Sequence, residues 1–210
     1  MTISTSALTI FVTSLLALPV EAAGIDCAKS ASPSDQMICR DKSLLARDAM
    51  LGAIYSAAVR HDEADKIHDR QRRWIATVRS CSDATCVRQA YDDQIGYLLT
   101  TKGGRDASAD FMSKATDGNE GHLTIFGPVD GLVAVWLAST YVGPGGAEAG
   151  DVNADGIDGV VPLTKWHTEL SRDACKISLD RLDAKTWRAS QTGSCDFADG
   201  VVLQGTYRKQ

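Results

Sequence analysis

Gln71-Arg72-Arg73-Trp74-Ile75-Ala76-Thr77-Val78-Arg79-Ser80-Cys81-Ser82-Asp83-Ala84-Thr85-Cys86 reads as a helix end, a turn bracketed by two cysteines, and a helix start. Ile67, Trp74, Ile75 and Val78 recur at the spacing of one helical face, and Val87, Tyr91, Ile95 and Leu98 make the next such stripe. Between the stripes, Ser82-Asp83 offers a side-chain oxygen to cap a helix beginning near Ala84. Toward the amino terminus, Leu44, Leu51, Ile54, Tyr55 and Ala58 form an earlier stripe, with Arg47, Asp48 and Arg60 between the apolar positions. His61-Asp62-Glu63 is the polar break after it, and Ser32-Pro33 is a usual opening of a helix. The spacing predicts a short first helix and three longer ones, packed as a small antiparallel bundle over residues 23–99.

Toward the carboxyl terminus the period changes. Residues 100–120 open on Thr100-Thr101-Lys102-Gly103-Gly104 and stay polar to Gly118-Asn119-Glu120, the composition of a linker. Beyond it the chain is β-branched and alternating. Leu123–Phe126, Leu132–Leu137, Gly159–Leu163, Lys176–Leu182, Thr186–Ser190 and Val201–Tyr207 are strand segments, each bounded by Gly, Asp or Asn. Gly127-Pro128-Val129-Asp130-Gly131 reads as the turn between the first two. About six short strands over residues 121–210 predict a small antiparallel sandwich or barrel. The expected fold class is therefore α+β in two domains, a disulfide-bonded helical bundle followed by a β domain.

Ala7 to Val20 is an apolar run without charge, shorter than the roughly 20 residues a membrane-spanning helix needs. The small-residue site Val20-Glu21-Ala22 follows it, so residues 1–22 are expected to be a cleaved signal peptide. Ile25 and Asp26 stand where a lipid-attachment site would put small residues, so Cys27 is not expected to carry a lipid. The expectation is a periplasmic or secreted protein with no stable membrane anchor. A net charge of −5 argues against nucleic acid as a partner, since phosphates demand clustered Lys and Arg, and favours a basic partner at long range.

Six cysteines in an exported chain suit a disulfide framework. Cys27, Cys39, Cys81 and Cys86 allow three pairings, and sequence does not choose among them. Short separations favour Cys27 with Cys39 and Cys81 with Cys86, which leaves Cys175 and Cys195 for each other. A zinc reading of Cys81 and Cys86 lacks a second ligand pair at finger spacing.

The ordered pattern Asp26-Cys27, Asp35, Ile38-Cys39, Leu44, Asp48, Tyr55, Gln71-Arg72-x-Trp74, Arg79-Ser80-Cys81, Cys86 and Tyr91 resembles the N-terminal domain of the LprI family, named for a mycobacterial lysozyme inhibitor. The resemblance covers roughly residues 25–99, with Asp35 where the family usually has Glu and Lys42 where it often has Pro. It implies an exported, disulfide-bonded helical domain and inhibition of lysozyme-type muramidases, without catalytic residues or cofactors. It points to Asp26, Asp35, Asp48, Tyr55, Gln71, Trp74 and Tyr91 as the residues of interest.

Other combinations carry less. Trp74 and Gln71 suit a contact surface, but a Trp beside Ile75 and Val78 at helical spacing is more often core. Asp48 and Arg72 read as an ion pair inside the bundle. His61, Asp65 and His68 have the spacing of one helical face, which the polar break at His61-Asp62-Glu63 interrupts. Asp151-x-Asn153-x-Asp155-Gly156-x-Asp158 resembles the first half of a calcium loop, yet Pro162 stands where the bidentate Glu belongs. No nucleophile-elbow, zinc-protease or P-loop motif is present, and His122 and His167 have no triad context. The leading expectation is a non-enzymatic binding protein that inhibits a lysozyme-type muramidase. The alternatives are an envelope structural or assembly module docking through its β domain, or a cell-wall hydrolase using paired carboxylates.

Overall fold

A computed structural model describes residues 24–114 and 117–209, so the expected signal peptide lies outside the described residues. Local chemistry sets the helix starts. At α1 (Pro33–Arg40) the Ser32 hydroxyl accepts from Asp35 N while the Asp35 carboxylate accepts from Ser32 N, a reciprocal capping box. Asp41 caps α2 (Lys42–His61), Asp83 caps α4 (Ala84–Thr100), and α3 (Ala64–Ser80) lies between the polar breaks. Leu44, Met50, Ile54, Tyr91, Ile95 and Leu98 are fully buried among these helices.

The disulfides join Cys27 to Cys39, Cys81 to Cys86 and Cys175 to Cys195. The first ties a 3-10 turn at Cys27–Lys29 onto α1, and the second clasps the α3–α4 turn.

The carboxyl-terminal half is a nearly closed eight-stranded antiparallel barrel: β1 (Ala109–Lys114), β2 (Asn119–Val129), β3 (Leu132–Val142), β4 (Val152–Pro162), β5 (His167–Arg172), β6 (Cys175–Asp183), β7 (Thr186–Gly193) and β8 (Gly205–Lys209). The sheet order β4-β3-β2-β1-β8-β7-β6-β5 is an up-and-down meander whose last strand returns to pair with the first. Its seam lies between β4 and β5, where Arg172 donates to Gly156 O at 3.1 Å. Side chains fill the interior, among them Phe111, Leu123, Val135, Leu137, Ile177, Leu179 and Tyr207.

The strand run expected to turn at Gly127 instead continues to Val129. A bulge between Phe126 and Val129 absorbs Gly127-Pro128, and the chain reverses at Asp130-Gly131, both at positive φ. β1 and β5 were not among the expected strands. β1 is short, with Phe111 and Met112 set between Asp110 and Ser113, and β5 alternates buried Thr168 and Leu170 with exposed neighbours.

Within residues 100–120, expected as a linker, the described residues instead carry a short helix, β1 and the start of β2. Asp62 accepts from Lys102 N and Gly103 N, which seats α5 (Lys102–Asp106) on the α2–α3 corner. Only a glycine at 103 lets that turn lie against the backbone of Ala57 and Ala58. β1 then follows directly and pairs with β2 and β8.

The two regions share apolar packing. Ala134 and Val160 of the barrel's outer face belong to the same buried cluster as the helix stripes, with Phe126, Leu132 and Trp136 packed against it. That explains why Leu132–Leu137 is apolar on both faces: odd positions face the barrel interior and even positions face the helices.

Candidate functional site: the Trp74 face of the helical region

The residues singled out by the family resemblance converge on the interhelical joints. Asp48 of α2 accepts from Ile25 N at 2.6 Å and from the Tyr91 hydroxyl of α4 at 2.8 Å. It thereby pins the amino-terminal segment to the bundle. Desolvation and the neighbouring Asp48 charge push the Tyr91 phenol well above its ordinary value. Trp74 Nε1 donates to Ala90 O at 3.0 Å, and its ring meets Tyr91 edge-on with centroids 5.0 Å apart. Gln71 accepts from buried Gln94 at 3.0 Å, and Gln94 in turn accepts from Arg70 at 3.0 Å. Tyr55 lies beside the His68 ring, with burial raising its phenol. Asp35 caps α1 as described, and Asp26 accepts from Ala28 N to open the turn that carries Cys27.

Trp74 is therefore half core and half surface. One edge lines a shallow groove of about 180 Å³ between α3 and α4, with Arg70, Arg73, Thr77 and Asp93. The other lines a groove of about 250 Å³ beneath the amino-terminal segment, with Ile25, Asp35, Asp48, Ile75 and Arg79. Ile75, beside it, is 36% exposed. The cations of this face come from α3, against Asp35, Asp48 and Asp93 of its neighbours: Arg70 lies over the Tyr97 ring, Arg72 pairs with Asp69 on the same helix, and Arg73 and Arg79 are exposed. Two disulfides and the Asp48 and Gln94 hydrogen bonds cross-link the elements that carry this face.

The expected Asp48–Arg72 ion pair does not form, because each side chain has a nearer partner. The buried pair is instead Arg47 with Asp92. Arg47 is 4% exposed and donates to both Asp92 oxygens (2.6 and 3.2 Å), to the Ser43 hydroxyl (2.6 Å) and to Val160 O on β4 (2.8 Å). Its signal was an arginine three residues after Leu44 and four before Leu51, on the apolar stripe itself.

The remaining expected combinations are taken apart by the fold. Asp151 just precedes β4 and Asn153 and Asp155 lie on it, and each is turned to a different partner: Asp151 accepts from Gly145 N, Asn153 donates to Asp199 O, and Asp155 accepts from Ala198 N. Asp158 falls on the opposite face of that strand, against α4, so extended backbone replaces the calcium-type loop. Among the described residues no three His, Cys, Asp or Glu side chains come together as a metal site. His61 closes α2 beside Asp106, whereas His68 belongs to α3. His167 Nδ1 meets Asp180 at 2.7 Å on the barrel surface, and His122 lines a separate groove with Trp136.

No family model matches the chain, and no solved structure matches it. It is 27% identical over 84 residues to Lipoprotein LprI of Mycobacterium bovis and of two strains of Mycobacterium tuberculosis. That match covers 38% of this chain and 43% of the relatives, so the chain spans less than half the length of the curated proteins it resembles.

Proposed function

We propose that the protein is an exported, non-enzymatic binding protein that inhibits a lysozyme-type muramidase through the Trp74 face. The observation that carries this is a half-exposed Trp74 beside exposed Ile75, flanked by arginines and held rigid by disulfides, in the region that resembles the LprI family. Rigid aromatic anchors with neighbouring Arg are the usual composition of binding hot spots. Glycosidase clefts carry a pair of carboxylates, so a cationic helix suits the cleft at contact. The net charge of −5 supplies the opposite, long-range attraction to a basic enzyme. Three disulfides support maturation in an oxidising compartment, and no described helix is long and apolar enough to cross a membrane.

The test is loss of turbidity of a peptidoglycan suspension by lysozyme, titrated with the oxidised chain. Dose-dependent protection is expected, weakened roughly tenfold or more by Ile75→Asp at unchanged thermal stability. Undiminished lysis at large molar excess, with both chicken-type and goose-type enzymes, would end this reading.

A further inference from the structure

One end of the barrel presents two large apolar side chains on neighbouring hairpins. Trp166, in the β4–β5 turn, is 58% exposed, and Leu182, at the end of β6, is 47% exposed. Arg181 N donates to Trp166 O at 2.8 Å, so the two tips are fastened side by side. The Arg181 guanidinium lies 4.5 Å from the Trp166 ring centroid.

Lys165 and Trp166 hold φ of 47° and 70°, the left-handed region that a two-residue hairpin normally gives to Asn-Gly. A bulky residue there is strained, and strain at an exposed position is kept where the side chain has a use. Around the tips stand Lys165, Lys185, Arg208 and Lys209, the last joined to Lys185 by a backbone hydrogen bond. A shallow depression is lined by Lys185, Arg208 and Lys209 with Asp183. Two carboxylates share this end, Asp180 beside His167 and Asp183 accepting from Lys185 N, and with Arg181 the cations still outnumber them. In a chain of net charge −5, this end is a local concentration of cations around exposed Trp and Leu.

We infer that this end of the barrel docks on an anionic phospholipid surface. Trp favours the headgroup boundary, Leu enters the acyl edge, and lysine stems follow apolar contact while their ammonium groups reach phosphate. Two proud tips ringed by cations suit a surface rather than a pocketed ligand. The binding is peripheral and requires no lipid anchor. It is independent of the Trp74 face, which lies on the helices.

Sedimentation with vesicles tests it, using the chain from Gly24 onward, which holds every described element and lacks the apolar leader. Vesicles of phosphatidylglycerol mixed with phosphatidylcholine should bind at least about tenfold more tightly than phosphatidylcholine alone. Near 0.5 M salt the difference should vanish, because the Debye length falls to only a few ångströms. Intrinsic fluorescence should shift to the blue on binding. Replacing Lys165 with Asn and Trp166 with Gly should keep or raise thermal stability, since it relieves the turn, and abolish both signals. Lys185→Glu with Lys209→Glu should weaken binding at least about fivefold. Equal affinity for the two vesicle types, no binding, or binding indifferent to these variants would overturn the inference.

Discussion

Arg47 has every guanidinium nitrogen occupied, and its three partners lie on α2, α4 and β4. Burial pushes the Asp92 carboxyl up while the guanidinium pulls it down, so the pair holds geometry at a desolvation cost. Asp92→Ala would leave the guanidinium buried and half unpaired. A loss of about 3–5 kcal/mol in urea unfolding is expected, with the double replacement Arg47→Met and Asp92→Leu costing less. Asp158 behaves differently because, among the described residues, no cation lies in hydrogen-bonding reach of it. Its side chain keeps an exposed edge, but desolvation against α4, then Asp93 and Asp92, push its carboxyl up. A carboxyl raised in the folded state binds protons more tightly there. Its contribution is therefore complete below the ordinary carboxylate value and is lost as pH rises through the raised one. Asp158→Asn should accordingly raise the melting temperature near pH 7 and leave it unchanged near pH 3, as thermal scans at both pH values would show.

Among elements, the disulfides differ in what they close. Cys81–Cys86 spans a separation of 5 residues, Cys27–Cys39 spans 12, and Cys175–Cys195 spans 20. Loop-closure entropy ranks their stabilisation at about 2, 3 and 3 kcal/mol. Serine pairs at each position, compared by denaturant midpoint, should make Cys81–Cys86 the mildest loss. The α3–α4 turn is independently held by the Asp83 cap, which accepts from Cys86 N at 2.9 Å. α1 is different, because its capping box depends on an ionised Asp35. The Ser32 hydrogen bond keeps that carboxyl below its ordinary range, so its contribution is present above that range and fades as pH falls through the lowered value.

For the whole molecule, the shared cluster has a thermodynamic consequence. Ala134 and Val160 are buried by the helices, and Leu44, Ile95 and Leu98 are buried in the same cluster. Separating the regions would expose that seam and strand the Arg47 donor to Val160 O. Helix and barrel should therefore melt together. Far-ultraviolet dichroism at helical wavelengths and near-ultraviolet signals from the barrel's buried Trp187 should give coincident transitions. Two resolved transitions would show the seam to be weak.

The bundle was legible because each helix is written locally. Stripes such as Val87, Tyr91, Ile95 and Leu98, and caps such as Ser32 and Asp83, depend only on neighbours in the chain. The alternating strands were legible for the same reason, and together these determined an α+β chain of two regions. The choice between sandwich and barrel needed the pairing of β8 with β1, which links residues far apart in sequence. α5 and β1 have the composition of a linker and owe their structure to Asp62 and β2, which lie elsewhere in the chain. For the candidate site, the sequence named Asp48, Gln71, Trp74 and Tyr91, but not that they lock helices together and leave Trp74 only partly exposed, between two grooves. It misassigned the buried ion pair, since Arg47 meets Asp92 only once α2, α4 and the barrel have closed around them. Period and capping are short-range physics, and a sequence carries them openly. Which side chains meet across a seam is decided by burial, and burial exists only in the folded chain.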